Sequence, residues 1–207
     1  MKKILAFIFL ISSFTQAQQT INGTMYPTIK SDWVTLHKIE GARQFFIKST
    51  KIKIDSFTVE GEKQTLGRFN FTLPQKTKVG SYRITYSLEG RGFVDFIYNK
   101  ENINFGFHPE YPNQSVTFTD SKENKIYRTY LDQNAKAQQY LDSIQVLALQ
   151  NPDLNLKRKY KTAIRKVNSI QQKYLKASEG MYVQPFIEAS LSNSPSEIIR
   201  SPEKYMS

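Results

Sequence analysis

The chain contains 207 residues with no cysteine and carries a formal net charge of +11. The lack of cysteine excludes a disulfide framework and any thiolate chemistry within these residues. A hydrophobic content of 39% with 13% aromatic residues predicts a packed core, so a wholly disordered chain is excluded as well.

Residues 1–17 have the pattern of a secretory signal peptide. A basic start at residues 1–3 precedes an apolar run over 4–11, and a small-x-small cleavage signal over 15–17 ends before Gln18. The apolar run is too short to span a bilayer as a mature helix, and no later run has spanning length. We therefore predict an exported protein with no transmembrane segment after signal cleavage.

Residues 18–120 are predicted to form an antiparallel β domain, either a sandwich or a barrel. Apolar and polar side chains alternate in short blocks, as where Phe69, Phe71 and Leu73 are separated by polar residues. Such alternation is typical of strands with one buried face and one face in water. Turn residues recur about every 8–12 residues, which is typical of these two architectures. The predicted strands cover 21–25, 33–37, 44–48, 51–59, 68–73, 82–87, 92–98, 102–107 and 115–118.

Residues 121–207 are predicted to form a helical segment. Asp120 followed by Glu123 is typical of a capped helix start, and Asn151-Pro152 breaks that helix. A second helix is predicted over about 154–177. Since the first helix has a one-sided stripe, we predict an antiparallel helical hairpin, packed on itself or on the sheet. The stripe consists of Tyr127, Tyr130, Asn134, Ala137, Leu141, Ile144 and Ala148.

Two further helix starts lie near the carboxyl terminus. Ser194-Pro195 and Ser201-Pro202 each place serine at the cap position and proline at the first helical position. A helix begun at Ser201 would reach Ser207 after too few residues to be stable. We therefore expect the polypeptide to continue past Ser207.

No catalytic constellation is recognisable in the sequence. His37 and His108, the only histidines, lie in different predicted strands without metal-ligand spacing, and no Gly-x-Ser-x-Gly motif occurs. Asp95 shares a predicted strand face with apolar residues, so burial could raise its pKa for acid–base work. It could equally pair with Arg83 or Arg91, which would make it structural. No catalytic residue, metal ligand or cofactor is predicted.

Three asparagines, Asn22, Asn70 and Asn113, each begin a glycosylation sequon. The signal peptide is of bacterial type, and Asn70 lies inside a predicted strand. We therefore interpret the three matches as coincidental.

Two sets of residues are candidates for binding. Exposed aromatic residues could form a platform for a carbohydrate, and packing in the core or in turns is the alternative. A dense basic cluster in the second helix could meet an anionic lipid or glycan phosphate of the envelope, with a solvated helix face as the alternative. An exported protein meets little nucleic acid, so no nucleic-acid partner is predicted. The candidates are Trp33, Tyr26, Tyr98 and Tyr111 in the aromatic set and Lys157, Arg158, Lys159, Lys161, Arg165 and Lys166 in the basic set.

The order of several short motifs resembles a known family. Ile21-Asn22-Gly23-Thr24 opens the β region, Gly67-Arg68-Phe69-Asn70-Phe71 follows, and Ser121-Lys122-Glu123-Asn124 precedes the helical stretch. The chain resembles the amino-terminal β domain of unknown function that precedes the thioredoxin domain in envelope thiol-disulfide oxidoreductases of Gram-negative bacteria.

The resemblance implies a non-catalytic accessory module in the periplasm or cell envelope, which positions or regulates an attached or associated thioredoxin-like domain. The Cys-x-x-Cys centre of that family has no counterpart in these residues, so no catalytic residue is carried over. The redox domain is expected beyond Ser207. The alternative function is a free-standing envelope binding module for a glycan, a peptide or an anionic lipid.

Overall fold

The computed structural model of the protein describes residues 18–87 and 92–201. The predicted signal peptide, Arg91 and the helix predicted to follow Ser201 lie outside the described residues. In the part that is described, the chain is a mixed α/β structure in which strands come first and form two sheets, and helices follow. This confirms the predicted order of a β region followed by an α region.

The described residues contain nine strands and four helices. The strands are β1 (Gln19–Met25), β2 (Trp33–Glu40), β3 (Arg43–Lys51), β4 (Lys53–Val59), β5 (Glu62–Leu73), β6 (Gly80–Thr85), β7 (Phe93–Tyr98), β8 (Ile103–Phe107) and β9 (Thr117–Phe118). The helices are α1 (Pro112–Ser115), α2 (Lys122–Gln150), α3 (Lys157–Ala177) and α4 (Gln184–Ala189). One sheet has the strand order β4-β5-β1-β8-β9, and the other has the order β3-β2-β6-β7. Each predicted strand range overlaps at least one of these strands.

One pairing in the five-stranded sheet is parallel, so the prediction of a wholly antiparallel domain is wrong there. Ile21 of β1 lies opposite Ile103 of β8, and Met25 lies opposite Phe107. The other neighbour of β1, β5, is antiparallel to it. The alternation of apolar and polar residues shows which side chains face the core. It is the same whether the neighbouring strand runs parallel or antiparallel, so it does not predict the direction of pairing.

The strand predicted over 115–118 is shorter than expected. Residues Pro112–Ser115 form α1, and only Thr117–Phe118 pair with β8. Proline at the first position of a helix loses no hydrogen bond, because that N–H has no partner within the helix. The local preference for a helical turn at Pro112 therefore takes residues from the strand.

The cap of α2 is Ser121 and not the predicted Asp120. The Ser121 hydroxyl oxygen accepts a hydrogen bond from the backbone N–H of Asn124 at 3.3 Å. Asp120 bonds instead to the five-stranded sheet. The carboxylate of Glu123 accepts from the backbone N–H of Val183 at 2.7 Å, so it joins α2 to the chain before α4 and does not complete a capping box.

Both sheets contribute side chains to one apolar core. The ring centroids of Phe105 in β8 and Phe96 in β7 lie 6.1 Å apart, which brings the two sheets into contact. Phe69 and Phe118 lie 6.0 and 5.6 Å from Phe105. Each such aromatic pair contributes about 0.5–1.5 kcal/mol beyond the burial of its area. Because the chain has no cysteine, no disulfide supplements this packing between the sheets.

The helices pack on the outer side of β7. Ile97 alternates with inward-facing Phe96 and Tyr98, yet it is buried because it lies in one cluster with Tyr130 of α2 and Tyr174 of α3. A second apolar cluster joins α2 to α3. The stripe predicted on the first helix is the face that is covered, and its buried members are Tyr130, Leu141, Ile144 and Ala148.

Residues 191–201 form an irregular segment across α2 and α3, so the helix predicted at Ser194-Pro195 is wrong. The buried side chain of Gln145 accepts from the backbone N–H of Ile199 at 3.1 Å and donates to the Ile199 carbonyl. The Tyr160 hydroxyl donates to the Pro195 carbonyl at 3.0 Å. These bonds use backbone groups that a helix would pair internally, so tertiary contacts override the local start signal.

Candidate ligand-binding face

The outer face of the five-stranded sheet, directed away from the core, is lined mainly by small polar side chains. Because side chains alternate along a strand, the residues between the core positions of β1, β5 and β8 share this side. Asn22 of β1 lies directly opposite Asn70 of β5 and Asn104 of β8. The outer face comprises Thr20, Asn22, Thr24, Arg68, Asn70, Thr72, Asn102, Asn104, Gly106 and Thr117.

Three asparagines form a hydrogen-bonded row across this face. The amide of Asn70 donates to Asn22 Oδ1 at 2.5 Å, and the amide of Asn22 donates to Asn104 Oδ1 at 2.5 Å. The amide of Asn104 donates in turn to a carboxylate oxygen of Asp120. We call Asn70, Asn22, Asn104 and Asp120 the asparagine row. Its internal bonds orient each amide, so the remaining donors and acceptors have set directions.

Aromatic side chains line one end of the outer face. Tyr26, which follows β1, lies 5.9 Å from Phe57 of β4, and its hydroxyl donates to Gln64 Oε1 at 2.9 Å. His108, which follows β8, stacks on Tyr111 with 5.0 Å between ring centroids. Tyr26 and Tyr111 are 45% and 56% exposed. We call Tyr26, Phe57, His108 and Tyr111 the aromatic end.

A shallow depression of about 420 Å³ lies between the asparagine row and the aromatic end. Gly106 leaves its floor bare, and a Cβ built there would meet only the Thr24 carbonyl oxygen, at 3.7 Å. The residues around the depression include five hydroxyl side chains and no lysine, arginine, aspartate or glutamate. The lining consists of Thr24, Tyr26, Gly106, Phe107, His108, Ser115, Thr117 and Thr119. Such a surface suits an uncharged ligand that can both donate and accept hydrogen bonds.

The structure brings two of the four predicted aromatic residues together. Tyr26 and Tyr111 both belong to the aromatic end, and His108 connects them. His108 lines the depression together with Tyr26, and its ring stacks on that of Tyr111. Trp33 is also exposed, but it lies in the other sheet with Lys51 Nζ 5.3 Å from its ring centroid. The prediction for Tyr98 is wrong, because its side chain is fully buried. It falls on the inward side of β7, beyond the reach of a ligand.

All six residues of the predicted basic set are exposed on α3. They lie on a different element from the asparagine row and the aromatic end, so the structure separates the two sets of candidates. The members are Lys157, Arg158, Lys159, Lys161, Arg165 and Lys166.

Asp95 is paired with Arg83, as one of the two sequence interpretations expects. Arg83 Nε and Nη2 donate to the two carboxylate oxygens of Asp95 at 2.6 and 2.7 Å. These bonds raise the pKa of Arg83. A carboxylate held in this way has a structural role, since both of its oxygens are occupied by a permanent cation.

His37 lies opposite Arg83 and packs edge-on against Phe46, with 5.9 Å between ring centroids. Burial lowers the pKa of His37, and the charge of Arg83 lowers it further. Across residues 18–87 and 92–201, no group of three or more His, Asp or Glu side chains could hold a metal ion. Within the same ranges, no helix combines the length and the apolar character needed to cross a bilayer.

The asparagine row was missed as a site at the level of sequence. In the sequence, Asn22 and Asn70 stand out only as parts of sequons and of the resemblance motifs, and Asn104 falls in the predicted strand 102–107 without a role of its own. The available signal is that asparagine occupies the water-facing side of three separate strands. Their alignment depends on the pairing register of β1 with β5 and β8, which alternation alone does not specify.

No protein-family model, curated protein or solved structure matches this chain.

Proposed function

We propose that this chain is a non-catalytic module that binds a neutral glycan on the outer face of its five-stranded sheet. The observation that carries the proposal is the depression over Gly106, which has oriented amides on one side and exposed aromatic rings on the other. Sugar rings carry hydroxyls that donate and accept hydrogen bonds, and they have apolar faces that pack on aromatic rings. The outer face offers both kinds of contact within one site.

The proposed scaffold is a β-sandwich whose carboxyl-terminal helices form a hairpin. The shared apolar core supports a sandwich arrangement of the two sheets, and the apolar cluster between α2 and α3 supports the hairpin. The helices pack on the outer side of β7 in the four-stranded sheet, and Arg68 and Asn70 on the polar side of the five-stranded sheet are exposed. We propose the cell envelope as the compartment, on the basis of the signal-peptide pattern of residues 1–17.

The glycan proposal is tested by calorimetric titration with a panel of neutral oligosaccharides that differ in sugar and linkage. We expect at least one of them to bind the wild-type protein. Gly106→Leu should then weaken binding by at least about tenfold, equivalent to about 1.4 kcal/mol, because its side chain occupies the depression. Tyr111→Ala should also weaken binding, because it removes an exposed ring.

Trp33→Ala is the matched control, because Trp33 is an exposed aromatic residue on the other sheet. It should leave the affinity unchanged. Binding that Trp33→Ala abolishes and Gly106→Leu preserves would place the site elsewhere and contradict the proposal. Absence of binding across the whole panel would contradict it as well.

We propose as a second candidate the accessory role that the family resemblance implies, namely positioning a thioredoxin-like domain. The supporting observation is that the helical segment is tied to the rest of the chain by buried polar bonds. Asn124 of α2 bonds to both backbone groups of Ile97 in β7. Such bonds hold α2 in one position relative to β7, which a positioning element requires.

The accessory role is tested by the intact mass of the native protein isolated from the envelope. A mass larger by about one domain of ordinary size, with a Cys-x-x-Cys sequence in the additional part, supports it. A mass equal to that of the signal-cleaved chain contradicts an attached redox domain. Co-purification of a separate thioredoxin-like protein would then be the remaining support for an associated one.

A further inference from the structure

The sequence of α3 contains eight basic residues and no acidic residue over its 21 positions. All eight basic side chains are exposed. They are Lys157, Arg158, Lys159, Lys161, Arg165, Lys166, Lys173 and Lys176.

Six of these residues share the side of α3 opposite its buried face. Successive residues of an α-helix are rotated by about 100°, so the buried positions Tyr160, Val167 and Tyr174 mark one side of the helix. These six basic residues fall on the other side and extend from Arg158 to Lys176, a length of about 27 Å at 1.5 Å per residue. We call this side the basic strip, and its members are Arg158, Lys161, Arg165, Lys166, Lys173 and Lys176.

The basic strip has no acidic partner within the described residues. The ion pairs there join Lys38 to Glu40, Arg68 to Asp55, Arg83 to Asp95, and Lys136 to Asp132, so none of them involves α3. Lys173 lies 5.0 Å from the ring centroid of Tyr174, which is a contact with a neutral group. The positive charge of the strip is therefore not neutralised by the neighbouring protein.

This arrangement opposes the stability of the helix itself. Lys161 and Arg165 are four positions apart, and Arg158 and Lys161 are three apart, so like charges are neighbours on the helix surface. The first turn adds cations at the positive end of the helix dipole, without any acidic residue there. Such departures from local preference are expected where a surface serves a partner.

We propose that the basic strip docks the protein on an anionic lipid bilayer surface by electrostatic attraction. The polar residues between the cations include Thr162, Asn168, Ser169 and Gln172, so the strip has no aromatic side chain to stack on bases and no apolar side chain to enter the lipid. A broad band of long basic side chains on the convex side of a helix matches a plane of headgroups better than it matches a narrow groove. This surface is separate from the proposed glycan site, and the two proposals do not depend on each other.

The mode of binding sets its salt dependence. Each basic residue close to an anionic surface strengthens binding by about fivefold. Exposed charges are screened beyond about 10 Å at 0.1 M salt and beyond about 3 Å at 1 M. We therefore expect the partition coefficient for anionic vesicles to fall by at least about tenfold as the salt is raised from about 0.1 M to about 0.5 M.

The test is co-sedimentation of the protein with vesicles of phosphatidylcholine alone or mixed with phosphatidylglycerol. We expect binding only to the mixed vesicles. A variant that combines R158Q, K161Q, R165Q and K173Q should lose at least about tenfold in partition coefficient. The matched control combines K30Q, K63Q, K76Q and K125Q, which removes the same charge from exposed positions outside α3 and should lose less than about threefold. Circular dichroism melting checks that both variants are folded.

Three results would overturn the proposal. An equal loss in both variants would show attraction by net charge and not by the strip. Undiminished binding to phosphatidylcholine vesicles would show insertion of apolar groups. Tighter binding to duplex DNA than to mixed vesicles of equal anionic charge would assign the strip to nucleic acid. If the variant with four substitutions does not fold, the double variant R158Q/R165Q takes its place. Together with the salt titration of the wild-type protein, it tests whether the basic strip binds the vesicles.

Discussion

Asn124 in α2 bonds to both backbone groups of Ile97 in β7. Its Oδ1 accepts from the Ile97 N–H at 2.8 Å, and its Nδ2 donates to the Ile97 carbonyl at 2.7 Å. β7 is the last strand of the four-stranded sheet, so these groups would otherwise belong to an unpaired edge. One buried side chain thus takes the place of a neighbouring strand and attaches the helical segment to the sheet.

Replacing Asn124 with leucine should lower the free energy of unfolding by about 3 kcal/mol, because two buried backbone groups lose their partner. Urea denaturation followed by circular dichroism measures the change. Asn168→Leu, at an exposed position of α3, is the matched control and should change stability by less than about 0.5 kcal/mol. Similar losses in the two variants would mean that the Asn124 bonds contribute little.

Two glycines of the five-stranded sheet should respond differently to alanine. A Cβ at Gly23 would lie 1.9 Å from the ring of Phe69, whereas a Cβ at Gly106 would have no neighbour closer than 3.7 Å. Gly23→Ala should therefore cost about 1–3 kcal/mol of stability through overpacking, and Gly106→Ala should change it by less than about 0.5 kcal/mol. Thermal unfolding of the two variants side by side checks this. Equal melting temperatures would show that Phe69 moves aside without cost.

The first turn of α3 should be improved by a negative charge. The helix begins after Leu156 without a side-chain cap and has no acidic residue in that turn. Lys159→Glu removes a cation from the positive end of the helix dipole and adds an anion there, so it should raise stability by about 0.5–1 kcal/mol. Gln172→Glu, in the middle of the same helix, is the control and should have a smaller effect. A destabilised Lys159→Glu protein would contradict the dipole argument.

The lowered pKa of His37 should make stability depend on pH. In the unfolded chain the ring has its usual pKa of 6.5, whereas in the folded chain burial first, and the charge of Arg83 second, lower the pKa. As the pH falls below about 6.5, the unfolded state binds the proton first, so the free energy of unfolding decreases until the folded pKa is passed. Above pH 6.5 this contribution to stability is fully present.

Urea denaturation of the wild-type protein and His37→Gln at pH values between about 5 and 8 measures this contribution. His37→Gln should have a smaller decrease in stability at the acid end than the wild type. His108→Gln keeps His37 in place, so its free energy of unfolding should decrease toward acid pH as much as that of the wild type. An unchanged pH dependence in His37→Gln would show that other groups cause it.

The local pattern of the sequence was sufficient to identify the strands and the buried side of α2. Phe69, Phe71 and Leu73 alternate with polar residues, and all three are buried in β5. Leu141 and Ile144 lie on the predicted stripe and are buried in α2. Both results follow from periodicity, because the direction of a side chain is set by the backbone conformation of its own element.

The candidate site could be predicted only in part. Tyr26 and Tyr111 were proposed from their residue type, and the structure places both at the aromatic end, Tyr26 beside the depression and Tyr111 stacked on His108. Tyr98 was misassigned, because residue type does not show which side of a strand faces the core. Asn22, Asn70 and Asn104 form a row only because three strands distant in sequence pair in one register. A register is a long-range property that a single strand does not encode.

By itself, the sequence determined which residues are apolar on which side of each element, and hence the order of a β region and an α region. Only the tertiary structure decided that β1 lies parallel to β8, that Asn124 protects the edge of β7, and that Ile199 bonds to Gln145 in place of entering a helix. The physical reason is that side-chain periodicity is local, whereas the partner of a strand edge or of a backbone N–H is chosen by packing among segments far apart in the chain.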